Sequence, residues 1–199
     1  MSEFTFDIPA TWKTQADRWA GLFGVPVCIA GGALRDLDNG VPHKDVDIFL
    51  SVAEVPEYGD MAPRLRSEGG VVILDRQYMG LEARPNRITQ EVGQVWEYRV
   101  GDETYNLIFL TQRFTPVEFY ARLDFGMSRI SWWTDDRVVR SHVSYDADKE
   151  AKEFRVRRCE NRDQLDRSTL RGQRIIKRSY PGYDLVLPKR AELPLKEDL

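Results

Sequence analysis

The sequence predicts an α/β fold of the α+β kind, in which a mixed, mostly antiparallel β-sheet has its helices packed on one face. Short apolar runs with alternating polar residues, typical of strands, are separated by segments with helical spacing and glycine stops. One pair of these runs, residues 95–100 and 103–110, is joined by the dipeptide Gly101-Asp102. A two-residue loop with glycine first connects antiparallel neighbours.

The first predicted element is an amphipathic helix that ends at Gly24, just before Pro26. Thr11 is its candidate N-cap. Its predicted apolar face comprises Trp12, Ala16, Trp19, Ala20 and Phe23. A buried strand over residues 25–30 follows, because this short apolar run is bounded by glycine on both sides.

A tight turn, Gly31-Gly32, follows that strand and leads into a short helix that stops at Asn39-Gly40. Two consecutive glycines let the backbone approach a ligand closely, and their amides can face phosphate oxygens. The next strand begins with Asp45-Val46-Asp47. Residues two apart on a strand share a face, so the two carboxylates form an edge that suits Mg²⁺.

The predicted hairpin makes Glu97 the cross-strand partner of Asn106. Further along, the sequence predicts a short helix near residues 61–68, a strand over 71–74 and a long charged loop over 75–93. A capping box at Thr115 starts a helix that reaches about Leu123. Residues 127–133 and 138–143 are expected to form another pair of strands.

Composition narrows the class of protein. The start of the chain lacks a basic n-region and no apolar run approaches membrane-spanning length, so we expect a soluble protein without a signal peptide. Cys28 and Cys159 are far apart and have no metal-ligand spacing, which favours a reducing cytoplasm over a disulfide framework.

The net charge of −3 hides an uneven distribution, since residues 152–190 contain twelve Lys or Arg and five Asp or Glu. Four of these cations recur at helical spacing and are called the basic stripe: Arg171, Arg174, Lys177 and Arg178. We expect the stripe to bind a polyanionic acceptor, apart from the pocket beside the glycine turn. An ordinary solvated helix face remains the alternative.

Taken in order, Gly31-Gly32-Ala33-Leu34-Arg35-Asp36 and Lys44-Asp45-Val46-Asp47 resemble the nucleotidyltransferase core of the DNA polymerase β superfamily. Within it they are most similar to CCA-adding enzymes and bacterial poly(A) polymerases, in a small stand-alone form. The resemblance is close over residues 25–52. It implies a nucleotidyltransferase core domain over residues 1–150, with a basic helical C-terminal extension over residues 151–199 packed on it.

The resemblance implies a metal-dependent enzyme that transfers a nucleoside monophosphate from a nucleoside triphosphate to an acceptor hydroxyl, such as that of RNA or tRNA. It places Mg²⁺ or Mn²⁺ on Asp45 and Asp47 and the triphosphate at a second group of residues. The triphosphate group comprises Gly31, Gly32, Arg35 and Lys44. Arg35 has an alternative partner in Asp36, the usual arrangement for an arginine on a short helix.

The chain departs from the family where a third carboxylate is expected, because that position is Asn106. An amide oxygen still binds a metal, but it brings no charge and cannot act as a base. Glu97 is the candidate replacement for the missing catalytic acid, and an ordinary surface role for it stays open. The departure also leaves a second hypothesis, a degenerate member that binds nucleotide or a macromolecular partner without catalysis.

Overall fold

The computed structural model describes residues 2–3, 6–52, 58–67, 69–75 and 92–189. Within these ranges there are six α-helices and ten β-strands. The helices are α1 (Ala10–Phe23), α2 (Gly32–Asp38), α3 (Tyr58–Arg66), α4 (Pro116–Arg122), α5 (Val143–Glu150) and α6 (Arg162–Ser179). The strands are β1 (Ser2–Glu3), β2 (Val27–Ala30), β3 (Val46–Ser51), β4 (Val71–Asp75), β5 (Val92–Val100), β6 (Glu103–Leu110), β7 (Ile130–Trp133), β8 (Val139–Ser141), β9 (Glu153–Arg155) and β10 (Asp184–Val186). Most of the predicted loop over 75–93 lies outside the described residues.

Eight of these strands form one sheet in the order β1-β8-β7-β2-β3-β6-β5-β4. Its described neighbours pair antiparallel except β3 and β6, which are parallel. The predicted mixed, mostly antiparallel sheet is therefore confirmed. Strands β9 and β10 form a separate parallel pair.

The hairpin between β5 and β6 has the predicted register. Gly101 takes a φ of 60°, as a turn with glycine first requires, and Glu97 lies directly opposite Asn106. On its other side, β6 pairs with β3 so that Asn106 lies opposite Asp47. The positions of Asp47, Asn106 and Glu97 thus form one row across three neighbouring strands.

The two faces of the sheet are covered differently. On one face, Ile48 and Leu50 of β3 belong to the main hydrophobic cluster together with Trp12 and Trp19 of α1. On the other face, Phe49 packs against a smaller cluster that includes residues of α4. Helices α1 and α2 therefore pack on one face of the sheet, whereas α4 packs on the face that carries Asp47.

Local signals at the helix ends were mostly reliable. The capping box at Thr115 is formed, and Gly24 ends α1 in the left-handed conformation, both as predicted. Thr11 as the N-cap of α1 was wrong: the N-cap is Pro9, two residues earlier, and the Thr11 hydroxyl instead contacts Glu103 at 3.5 Å. Helix α5, begun by a cap from the His142 side chain, was not predicted; only its first residue, Val143, fell within the predicted strand over 138–143.

The C-terminal residues pack tightly on the rest of the chain. Leu165 of α6 and Tyr180 just after it belong to the main hydrophobic cluster. At Gly172 an added Cβ would lie 2.6 Å from Leu185 of β10, so α6 and β10 approach each other closely. The division into a core and an extension stays a prediction. Among the described residues, no helix is long and apolar enough to cross a membrane.

Candidate functional site

The row formed by Asp47, Asn106 and Glu97 is the centre of the candidate site. Alternation along β3 buries Val46, Ile48 and Leu50 in the main hydrophobic cluster and leaves Asp47 on the opposite face. Asp45 stands immediately before the strand and pairs with Lys44, whose Nζ lies 2.8 Å from its Oδ2. The structure therefore brings both predicted aspartates to one edge.

Asn106 interacts directly with Asp47, since its Nδ2 donates a hydrogen bond to Asp47 Oδ1 at 2.9 Å. Burial raises the pKa of Asp47, although the hydrogen bond from Asn106 and the charge of Arg171 oppose that rise. The Asn106 Oδ1 atom is buried and has no hydrogen-bond partner. A buried acceptor left unpaired is costly, so a hydrogen-bond donor or a cation beside this atom would stabilise it.

A divalent cation fits this donor set. Carboxylate and amide oxygens are the ligands that Mg²⁺ prefers, and Mg²⁺ usually takes only one or two protein carboxylates. Asp45 and Asp47 supply such donors in the wall of one cavity, whereas Asn106 turns its Nδ2 atom toward Asp47. Within the described part of the chain, no three His, Cys, Asp or Glu side chains are grouped closely enough to hold a metal. Glu97 as a third acid therefore stays a prediction.

The glycine turn lies beside this edge. Gly31 has φ 81° and ψ −127°, a conformation essentially restricted to glycine, and its amide donates to the Ile130 carbonyl at 3.1 Å. Gly32 begins α2 without positive φ, and a Cβ there would meet only the Arg35 Nη2 atom, at 3.6 Å. The backbone conformation thus requires glycine at position 31, whereas at position 32 glycine leaves open the space beside the Arg35 side chain.

Arg35 is buried and takes the alternative partner considered for it. Its Nη2 lies 2.6 Å from Asp36 Oδ1, and its Nε donates to the Tyr180 hydroxyl at 3.2 Å. The Tyr180 hydroxyl in turn donates to Asp36 Oδ1 at 2.7 Å. This arrangement ties α2 to the end of α6, although Arg35 still contributes to a cavity wall. A role for it in binding nucleotide stays a prediction.

A cavity of about 600 Å³, the cationic cavity, opens over the two aspartates. Its walls come from the glycine turn and α2, from Lys44 with the aspartates, and from one face of α6. The lining residues are Gly32, Ala33, Arg35, Asp36, Lys44, Asp45, Asp47, Arg171, Arg174, Ile175 and Arg178.

We expected the basic stripe to lie apart from the pocket beside the glycine turn. The structure instead places most of the stripe next to the aspartates. Arg171, Arg174 and Arg178 line the cationic cavity, whereas Lys177 does not. Helical spacing explains the split, because positions three and seven residues apart share a face and the position six residues along turns away. Sequence spacing showed the stripe, but only the packing of α6 showed where it faces.

A second cavity of about 310 Å³, the apolar cavity, adjoins the cationic one, with which it shares Gly32, Asp47 and Arg171. Asp124 lies in its wall and accepts a hydrogen bond from Ser168 at 3.1 Å. Asp124, which follows α4, is thereby tied to α6. The apolar cavity itself was missed, although alternation in β3 places Phe49 on the same face as Asp47.

No protein-family model matches the sequence, and no curated protein matches it either. Solved structures do match. A tRNA-processing enzyme in an apo form has a TM-score of 0.59 and 18% identity, covering 90% of this chain and 45% of its own. A tRNA nucleotidyltransferase bound to a primer tRNA and an ATP analogue has a TM-score of 0.57 and 17% identity, covering 85% and 46%. The Thermotoga maritima CCA-adding enzyme bound to tRNA has a TM-score of 0.59 and 16% identity, covering 92% and 40%.

At this identity the likeness establishes the fold, and the chain spans less than half the length of these neighbours. The three matches cover 85–92% of this chain. The chain therefore shares the fold of these tRNA nucleotidyltransferases and CCA-adding enzymes.

Proposed function

We propose that this chain is a nucleotidyltransferase that transfers a nucleoside monophosphate from a nucleoside triphosphate to an acceptor hydroxyl. The hydroxyl oxygen forms a bond to the α-phosphorus, the bond from that phosphorus to the β-phosphate oxygen breaks, and pyrophosphate leaves. The observation that carries the proposal is the cationic cavity. It joins Asp45 and Asp47 to five cations beside a glycine turn, on the fold of nucleotidyltransferases.

Each wall of the cationic cavity has a distinct task in this proposal. Lys44, Arg174 and Arg178 offset the negative charge of the triphosphate, since charge-assisted hydrogen bonds to phosphate are the stronger ones. Gly32 lets a phosphate approach the backbone, because no Cβ occupies that space. Arg35 forms an ion pair with Asp36 and so helps to hold α2, the helix that follows the glycine turn, in place.

Asp45, Asp47 and the Asn106 oxygen would hold the divalent metal, Mg²⁺ or Mn²⁺. When bound, such a metal stabilises the charge that develops on the phosphoryl oxygens. The pairing of β3 with β6 fixes Asp47 and Asn106 as neighbours, and these side chains would thereby set the position of the metal. Glu97, on the next strand, would supply the third negative charge that the neutral Asn106 does not provide.

A second candidate function is nucleotide or partner binding without catalysis. The observation that favours it is the hydrogen bond from Asn106 to Asp47, which places a neutral donor where the family has an acid. The acceptor is a separate question: the neighbours bound to tRNA make an RNA or tRNA hydroxyl one proposal for this chain.

Metal-dependent triphosphate binding tests the proposal. The double variant Asp45→Ala and Asp47→Ala should abolish the Mg²⁺-dependent part of triphosphate affinity in calorimetry, because it removes both carboxylate ligands. Its stability should hold or rise, since their mutual repulsion is relieved. The matched control is Asp102→Ala with Asp184→Ala, which removes two exposed carboxylates elsewhere.

Unchanged Mg²⁺-dependent affinity in the folded Asp45 and Asp47 variant would rule out this site. Activity is then measured by incubating the wild-type protein with each labelled triphosphate, Mg²⁺ or Mn²⁺, and total cellular RNA and protein. Transfer of label to any acceptor supports the enzyme. Tight triphosphate binding without transfer, with either metal, supports the non-catalytic alternative.

A further inference from the structure

The floor of the apolar cavity lies on the sheet, where a polar row of side chains is followed directly by an apolar row. The row Asp47, Asn106 and Glu97 is polar. The next row on the same face lies two residues away on each strand and consists of Phe49, Ile108 and Val95. Because a strand rises about 3.3 Å per residue, the two rows are roughly 7 Å apart.

Helix α4 and the segment before it close the cavity from above. The Phe119 ring packs edge-on against Phe49 with ring centroids 4.9 Å apart. The Phe114 ring is covered by the Arg122 guanidinium, 3.9 Å from its centroid. The cavity therefore lies between the sheet and α4, and it reaches the reacting edge at Asp47.

Most of the lining is apolar. Asp47, Asp124 and Arg171 stand at the end shared with the cationic cavity. The other polar lining residues are Arg122, Ser128 and Arg158; Arg122 donates to the Glu118 carbonyl and Arg158 pairs with Glu160. The apolar residues away from the shared end are Phe49, Val92, Val95, Ile108, Leu110, Phe114 and Phe119.

We propose that the apolar cavity binds the acceptor, and that the acceptor is a small molecule with an aromatic or aliphatic body and a terminal hydroxyl. This inference rests on the proposed function and names its acceptor class. The body lies over Phe49, Ile108 and Val95, and the hydroxyl reaches the row of Asp47. When the hydroxyl oxygen bonds to the α-phosphorus and pyrophosphate leaves, the hydroxyl proton passes to solvent water at the open end.

The lining argues against a nucleobase in the same space. A base carries several hydrogen-bonding atoms on its edge, and burying them without partners is costly. An apolar body has no such atoms and gains from leaving water. The volume of about 310 Å³ also suits a small molecule, being at the lower end of the usual range for ligand sites.

The test uses 2-phenylethanol as the probe and saturation-transfer NMR as the readout. Wild-type protein should bind the alcohol, and binding should persist when Mg²⁺ and a non-hydrolysable ATP analogue saturate the cationic cavity. Displacement of the alcohol by the analogue would overturn the proposal, because the nucleoside would then occupy this cavity. No detectable binding at about 10 mM alcohol would overturn it as well, since such affinity is below that of even weak specific sites.

Substitutions in the floor of the apolar cavity test whether the alcohol binds there. Val95→Phe fills the cavity and should weaken alcohol binding at least tenfold, whereas Val100→Phe, on an exposed position of the same strand, should leave it unchanged. If Val95→Phe does not fold, Ile108→Phe takes its place in the same row. Equal binding by the filled and control variants would refute the location.

The two proposals fail in different ways. If the alcohol binds but no triphosphate does, the proposed function fails, and the assignment of the cavity to an acceptor fails with it. If triphosphate binds in the presence of Mg²⁺ while the alcohol does not, the proposed function stands and this inference alone is overturned.

Discussion

Removal of two cations from the wall of the cationic cavity gives the sharpest test of where the triphosphate binds. Arg174 and Arg178 lie on the face of α6 that lines this cavity. Arg174 donates a hydrogen bond to the Leu170 carbonyl and Arg178 donates one to the Ser179 hydroxyl, and no described carboxylate pairs with either. They are therefore cations positioned to meet an anionic ligand.

The expected magnitude follows from their exposure. A hydrogen bond to a charged group contributes about 1.5 to 3 kcal/mol, but both side chains are exposed, so about 1 kcal/mol each is a reasonable value after screening by water. Arg174→Gln with Arg178→Gln should then weaken triphosphate binding by about 2 kcal/mol, or roughly 30-fold. The difference from wild type should shrink as salt rises from about 50 to 200 mM.

Calorimetry with Mg²⁺ and a non-hydrolysable ATP analogue measures this change. The matched control is Lys177→Gln with Arg162→Gln, which removes the same charge from the same helix but outside the cavity. Affinity of the Arg174 and Arg178 variant within about threefold of that control, in a folded protein, would refute the assignment. The basic stripe would then be left for a polyanionic acceptor, as its sequence pattern first suggested.

Three further predictions concern single positions. Gly31→Ala should cost about 1 to 3 kcal/mol of unfolding free energy because of its φ of 81°, whereas Gly32→Ala should fold normally in thermal denaturation yet weaken triphosphate binding. Glu97→Gln should lower turnover by orders of magnitude and Asn106→Asp should preserve or raise it; the reverse pattern in a transfer assay would exclude Glu97 as the third acid. Burial and nearby positive charge hold the pKa of His142 below its usual value, so the unfolded chain takes up the proton first as pH falls through about 6.5. The unfolding free energy should therefore fall from pH 7 to pH 5, and His142→Asn, which keeps an N-cap, should remove that part of the pH dependence.

Local rules were sufficient for much of the framework. The two-residue turn at Gly101-Asp102 determined the register that sets Glu97 opposite Asn106, because a tight hairpin leaves no freedom of alignment. Alternation along β3 determined that Asp47 turns away from the main core. The glycine turn and the paired aspartates were visible in the sequence for the same reason: each depends on residues that are close along the chain.

The tertiary structure decided what depends on distant pairings. The parallel pairing of β3 with β6 placed Asn106 beside Asp47, and no turn between adjacent residues encodes that choice. The contact of Arg35 with Tyr180 spans 145 positions, and the basic stripe faces the aspartates only because α6 packs where it does. Such contacts follow from how all apolar surfaces are buried together, which is a property of the whole chain, and so they could not be predicted from any one segment.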